Sequence, residues 1–127
     1  INTITGMAID VRKRCPRLAT TYGGLSGPAI KPVALRMVHQ VHTALPDLPI
    51  CGMGGIYSGE DALEFLMAGA SCVQVGTANF AEPPAALRVL AELKTLLAEL
   101  GFARAEDAVG SLVSIPAEPP YQGEVAK

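Results

Sequence analysis

Two stretches decide the fold: Leu48-Pro49-Ile50-Cys51-Gly52-Met53-Gly54-Gly55-Ile56 and Cys72-Val73-Gln74-Val75-Gly76-Thr77. In each, a short apolar run ends in residues with little or no side chain, and a helical pattern follows. A strand that stops at glycine exposes its next backbone N–H groups, and the N-terminus of a following helix adds a positive dipole. Two such ends side by side make a cradle for a phosphate. In a (β/α)8 barrel, the loops after the seventh and eighth strands commonly form that cradle. Read outward from here, the sequence is expected to be α/β, the C-terminal part of such a barrel, comprising about its last three β/α units.

The near-continuous apolarity of residues 48–53 fits a strand covered on both faces. Cys51 and Cys72, in strand-like runs, are therefore expected to be small buried hydrophobes. After the first strand, Ser58 with Asp61 three residues on makes a capping box, and the helix it starts runs to about Met67 and stops at Gly69. After the second strand, Pro83-Pro84 opens a long helix. There Leu87, Leu90, Leu93, Leu97 and Leu100 make one apolar stripe, read as ordinary core.

Toward the N-terminus, Leu35, Val38, Val41 and Leu45 recur at helical spacing over about Pro32 to Ala44. His39 and His42 lie on that helix, but no carboxylate or cysteine at ligand spacing supports a metal pair, so they read as solvent-facing or packed. Lys31 reads as solvated at the helix start. Gly23 to Gly27 is a flexible turn. Met7 to Val11 and Leu18 to Thr21 flank Arg12-Lys13-Arg14, which predicts a β-hairpin excursion with a solvated basic tip. Ile1-Asn2-Thr3 reads as the end of a strand. Beyond Gly101 a weaker helical pattern covers Ala105 to Leu112. The domain is expected over residues 1–110, with an irregular or disordered tail over 111–127 that holds Pro116, Pro119 and Pro120. Strand–helix alternation alone does not separate a barrel from an open doubly wound sheet.

The chain has 127 residues, 50% of them hydrophobic and 17% charged, which suits one globular α/β domain. A whole (β/α)8 barrel needs ~250 residues, so the sequence is expected to be a fragment whose natural N-terminus lies upstream of Ile1. The net charge of −2 supplies no basic field for nucleic acid or an anionic membrane. No run approaches the ~20 apolar residues of a membrane span, and no basic region precedes an apolar core in the manner of a signal peptide. The 3 cysteines show no CxxC spacing, which fits a reducing cytoplasm.

The backbone amides of Gly54, Gly55, Gly76 and Thr77 are the phosphate candidates, because a Cβ would hold an anion away from them. The Thr77 hydroxyl can add a donor. Asn2 and Thr3 offer a carboxamide and a hydroxyl able to bond the edge of a planar polar ligand, the alternative being a turn or helix cap. No acid/base pair, catalytic triad or metal cluster stands out in the sequence.

Several of these motifs together resemble the dihydroorotate dehydrogenase family. The matching runs are residues 2–10, Gly23 to Val38, Gly52 to Ile56, Glu64 to Ser71 and Val73 to Phe80. Gly27-Pro28-Ala29-Ile30-Lys31-Pro32 resembles the NAD-linked, two-subunit class 1B in particular. The resemblance implies an FMN-binding barrel that oxidises dihydroorotate to orotate in pyrimidine synthesis. It further implies that Asn2 and Thr3 hold the orotate ring and that Ile1 and Gly27 contact FMN through the backbone. Gly54, Gly55, Gly76 and Thr77 would bind the FMN phosphate. The implied partners are a second catalytic chain, as a homodimer, and an electron-transfer subunit carrying FAD and an iron–sulfur cluster. The family's cysteine base and its flavin-contacting lysine lie in the N-terminal half of the barrel, so none of Cys15, Cys51 and Cys72 is given the role of base, and this fragment alone is expected to be inactive. Two alternatives remain: a flavin domain like that of dihydropyrimidine dehydrogenase, and a non-catalytic FMN- or phosphate-binding module.

Overall fold

The structure, a computed structural model, describes residues 4–113. The expected positions Ile1, Asn2 and Thr3, and the tail from residue 114 onward, lie outside the described residues. The chain is α/β. Its centre is a parallel pair of short strands, β5 (Cys51–Met53) and β6 (Cys72–Gln74), with Cys51 opposite Cys72, Gly52 opposite Val73 and Met53 opposite Gln74. The connecting helix α2 (Gly59–Met67) packs back on one face of this pair. Gly52 faces that helix, and a Cβ built there would come within 2.7 Å of the Phe65 ring. Absence of a side chain at Gly52 is thus what lets Phe65, fully buried, lie flat on the strand.

Helix α4 (Ala85–Glu99) runs against α2, and α1 (Lys31–Ala44) lies against β5. A short helix, α3 (Ala78–Ala81), links β6 to α4. The core collects Ala34 and Val38 from α1, Ala62, Leu63, Phe65 and Leu66 from α2, and Val89, Leu93 and Leu97 from α4. The contact between α2 and α4 is closest at Gly59, where a Cβ would meet the Leu93 amide nitrogen at 2.4 Å. At the same point the Glu92 carboxylate accepts from the Gly59 N–H at 2.7 Å, so one helix caps the first turn of the other. Arg88 bridges Glu92 and Glu82 from the same surface.

The capping box appears as the sequence predicts. Ser58 Oγ accepts from the Asp61 N–H at 3.1 Å, and Asp61 Oδ2 accepts from the Ser58 N–H at 2.9 Å. His42, near the end of α1, lies packed between Gly69 and Gly110. Both glycines have positive φ, 110° and 68°, and a Cβ on either would collide with the imidazole. His39 is exposed.

The N-terminal region is built differently. Strand β1 (Thr5–Gly6) pairs antiparallel with β4 (Gly23–Gly24), and between them β2 (Ile9–Asp10) pairs antiparallel with β3 (Cys15–Pro16). The hairpin excursion is present, but its second arm is Cys15–Pro16 and not Leu18 to Thr21. The turn closes early because Asp10 Oδ1 accepts from the Arg12 and Lys13 amides, with Arg14 taking φ 54°.

Four further expectations need correcting. Strand β5 covers only Cys51–Met53, and Leu48 is exposed. Neither β5 nor β6 is covered on both faces: helices occupy one side only, so Cys51 and Cys72, which point to the other, are exposed. On α4 the buried residues are Ala85, Val89, Leu93 and Leu97, whereas Leu87, Leu90 and Leu100 face outward. The buried stripe follows steps of four from Ala85 through Val89 and Leu93 to Leu97, with Leu87 and Leu90 turned to one side of it and Leu100 at the C-cap, beyond the last turn. The pattern at Ala105 to Leu112 is a single 3-10 turn, Ala105–Ala108, followed by irregular chain to residue 113. No helix among the described residues is long and apolar enough to cross a membrane.

Candidate functional site

The C-terminal ends of β5 and β6 open into a cavity of about 240 Å³. Its wall takes Ser26 and Gly27 from the turn before α1, Gly54 and Gly55 beyond β5, and Gly76 and Thr77 beyond β6. The four phosphate candidates, Gly54, Gly55, Gly76 and Thr77, and Gly27, expected to meet a flavin through its backbone, therefore line one space. Met53 and Gln74, paired across the strands, and Tyr57 complete much of the lining.

The local backbone accounts for the glycines. Gly54 and Gly55 take φ 119° and 77°, a region closed to most side chains. A Cβ at Gly55 would also meet the Gly27 carbonyl oxygen and Lys31 Cβ, both at 2.8 Å. Gly76 is a different case: its φ is not in the left-handed region, and a Cβ there would meet nothing within 4 Å. Folding does not demand glycine at position 76; what its missing side chain preserves is open space above the β6 terminus.

Among the described residues, none of the amides of Gly54, Gly55, Gly76 and Thr77 donates to a backbone carbonyl in a turn or loop. The carbonyls nearby are occupied: Val75 and Gly76 accept from the Asn79 carboxamide at 2.9 and 3.2 Å. Asn79 thus ties down two of the acceptors at this end of β6. Open space beside glycine backbone has room for an oxyanion of phosphate size. Thr77, half-buried, lines the same space.

Lys31 is not solvated, contrary to expectation. Its ammonium lies 2.6 Å from Asp61 Oδ1 and 2.9 Å from Glu64 Oε2, bridging the start of α1 to α2. These hydrogen bonds, Asp61 first, raise its pKa and keep it charged. Partial burial pushes the Asp61 carboxyl up, but Lys31, the Tyr57 amide and Ser58 together outweigh this and leave it below the usual aspartate range. Lys31, beside the glycine loop at Gly55, is thus committed to a structural bridge.

The family model described as dihydroorotate dehydrogenase matches residues 1–97. The chain belongs to the dihydroorotate dehydrogenase family. A relative in Geobacter sulfurreducens, named dihydroorotate dehydrogenase B (NAD(+)), catalytic subunit, is 58% identical over 112 residues, which are 88% of this chain and 36% of that protein. Proteins of the same name in Pelobacter propionicus, with 58% identity over 88% of this chain and 36% of theirs, and in Geotalea uraniireducens, with 56% identity over 90% and 37%, are similarly close. The chain therefore spans little more than a third of the length of these dihydroorotate dehydrogenase relatives.

Ser26, Tyr57 and Gln74 line the cavity without having been singled out from the sequence. Gln74 carried a usable signal: it is the one polar residue in an apolar strand, and strand alternation sets it on the face opposite Val73 and Val75. Ser26 and Tyr57 had none, since their position depends on how two loops meet.

Proposed function

We propose that this chain is the C-terminal portion of an FMN-binding (β/α)8 barrel that oxidises dihydroorotate to orotate, the redox step of pyrimidine synthesis. The observation that carries the reading is the cavity at the ends of β5 and β6, where Gly76 keeps open a space that the fold itself does not require. Family membership and the names of the relatives support it. Gly54, Gly55, Gly76 and Thr77 would hold the FMN phosphate through backbone N–H groups and one hydroxyl. Gly27, in the same wall, would meet the flavin with its backbone, as Ile1 would. Asn2 and Thr3 would bond the polar edge of the orotate ring. When bound, FMN supplies a hydride acceptor at the substrate carbon. These residues bind and orient; none is assigned proton transfer.

The reading carries with it a homodimeric catalytic subunit in the cytoplasm, joined to an electron-transfer subunit holding FAD and an iron–sulfur cluster. The words "NAD(+)" and "catalytic subunit" in the relatives' names favour an NAD-linked reaction and a partner subunit.

Gly76→Val is the discriminating variant, because a Cβ at this position meets no protein atom within 4 Å. We expect FMN affinity, followed by flavin fluorescence, to fall by roughly 10- to 100-fold, the equivalent of losing one charge-assisted hydrogen bond. The melting temperature without FMN should stay unchanged. Unaltered FMN affinity would overturn the phosphate assignment. Turnover of dihydrouracil in preference to dihydroorotate by the native protein would overturn the substrate.

A further inference from the structure

The two halves of the cavity wall are held in different ways. Beyond β5, the backbone of Gly54 and Gly55 is wedged by its neighbours: a Cβ at Gly54 would meet Ala34 Cβ at 3.1 Å, and one at Gly55 the Gly27 carbonyl oxygen at 2.8 Å. Beyond β6, a Cβ at Gly76 would meet nothing within 4 Å. A glycine with open space about it leaves the peptide planes on either side free to turn unless something else fixes them.

Asn79 is what touches them. It lies in α3, half-buried, and is not part of the cavity lining that Gly76, Thr77 and Ala78 supply. Its carboxamide nitrogen donates to the Val75 carbonyl at 2.9 Å and to the Gly76 carbonyl at 3.2 Å. Its backbone N–H donates to the Gly76 carbonyl as well, at 3.0 Å. A carboxamide NH2 has two hydrogens, so one group can hold both carbonyls at once.

Fixing a carbonyl fixes the next amide. The Val75 C=O shares a peptide plane with the Gly76 N–H, and the Gly76 C=O shares one with the Thr77 N–H. No described peptide bond is cis, and across a trans peptide the C=O and N–H point in opposite directions. Two carbonyls drawn to Asn79 therefore turn the N–H groups of Gly76 and Thr77 away from it. Neither amide donates to a backbone carbonyl in a turn or loop.

We propose that Asn79 is the positioning residue of the phosphate cradle: by holding the Val75 and Gly76 carbonyls it keeps the Gly76 and Thr77 N–H groups turned into the cavity, ready for a phosphate monoester. The role rests on the phosphate site proposed above and adds to it a side chain that touches no ligand. Asn79 acts on donors that meet the phosphate, so it governs affinity for that group and not for the ring system attached to it.

The test sets FMN against riboflavin, which carries the same ring and no phosphate, on the flavin-free native protein, with affinities read by flavin fluorescence. Asn79→Ala should weaken FMN binding by roughly 10-fold and leave riboflavin binding unchanged. Asn79→Ser keeps one donor able to reach the carbonyl four residues back, that of Val75, so its loss of FMN affinity should be the smaller, about 3-fold. Equal losses for FMN and riboflavin in Asn79→Ala would reduce the side chain to general support of the fold, and unchanged FMN affinity would leave it with no hold on the amides; either overturns the role. Gly76→Val, measured alongside, keeps the two readings apart. A selective loss of FMN in Gly76→Val with none in Asn79→Ala would sink the role of Asn79 alone. If the unsubstituted protein bound FMN no tighter than riboflavin, the phosphate site itself would fall, and this role with it. Should Asn79→Ala fail to fold, the same comparison in Asn79→Ser decides, and equal or absent losses there overturn the role.

Discussion

Residues 5–24 and residues 51–99 both place short strands next to glycine, yet the two regions are held together by different physics. In the first, four two-residue strands pair antiparallel, none of their residues is buried, and Met7, Ile9, Val11 and Tyr22 are exposed. Its order comes from backbone pairing and from the Asp10 carboxylate gathering two turn amides. In the second, two parallel strands of three residues would be marginal alone. They are fixed because α2 lies on them and α4 lies on α2, with Phe65 at the centre. Backbone hydrogen bonds exchanged for water contribute little net stability per bond, whereas apolar area removed from water contributes steadily. The second region should therefore carry the stability, and the first should be tolerant of change.

The strongest way to break that contrast is Phe65→Ala. Truncating a fully buried ring between Gly52 and the core should cost about 3–5 kcal/mol, read from the urea midpoint at unchanged slope. A loss below about 1 kcal/mol would mean that the helix-covered face is not where stability resides.

A smaller effect is expected at the start of α2. Ser58→Ala removes one arm of the capping box and should cost about 0.5–2 kcal/mol. Asp61 makes this corner sensitive to acid. Its folded pKa lies below the ordinary aspartate value of 3.8, so the unfolded chain binds the proton more readily. The stabilisation is therefore complete above that ordinary value and is lost as pH falls through the lower, folded one. Lys31→Met should flatten this acid-side slope, as measured by urea melts between neutral pH and the acid transition. An unchanged slope would show that the Lys31 bridge is not what holds Asp61 ionised.

The smallest effect belongs to the hairpin. Val11 is 80% exposed in the turn after β2, and Val11→Ser should shift stability by no more than about 0.5 kcal/mol. A larger loss would mean that this excursion is covered in solution and would erase the contrast.

What could be read in the sequence was what depends on neighbours along the chain. Ser58 and Asp61 are three residues apart and cap their own helix. Gly54 and Gly55 sit in a turn whose φ angles only glycine readily takes, and strand–helix alternation follows from period alone. What depends on neighbours in space was misread. Whether Cys51 and Cys72 are covered is decided by which elements flank the sheet, and nothing within their own strands records that. Leu87, Leu90 and Leu100 are as apolar as Leu93 and Leu97, and only the line of contact with α2 selects among them. The pairing of Lys31 with Asp61, 30 residues away, was invisible for the same reason.

His42, held between Gly69 and Gly110, links three distant positions into a single volume. A methyl group gained at 69 or 110 must be matched by atoms lost at 42, and no one of the three can enlarge by itself. Among descendants of this chain the imidazole and its two bare flanks should drift together or stay as they are, a three-way constraint written in occupied space.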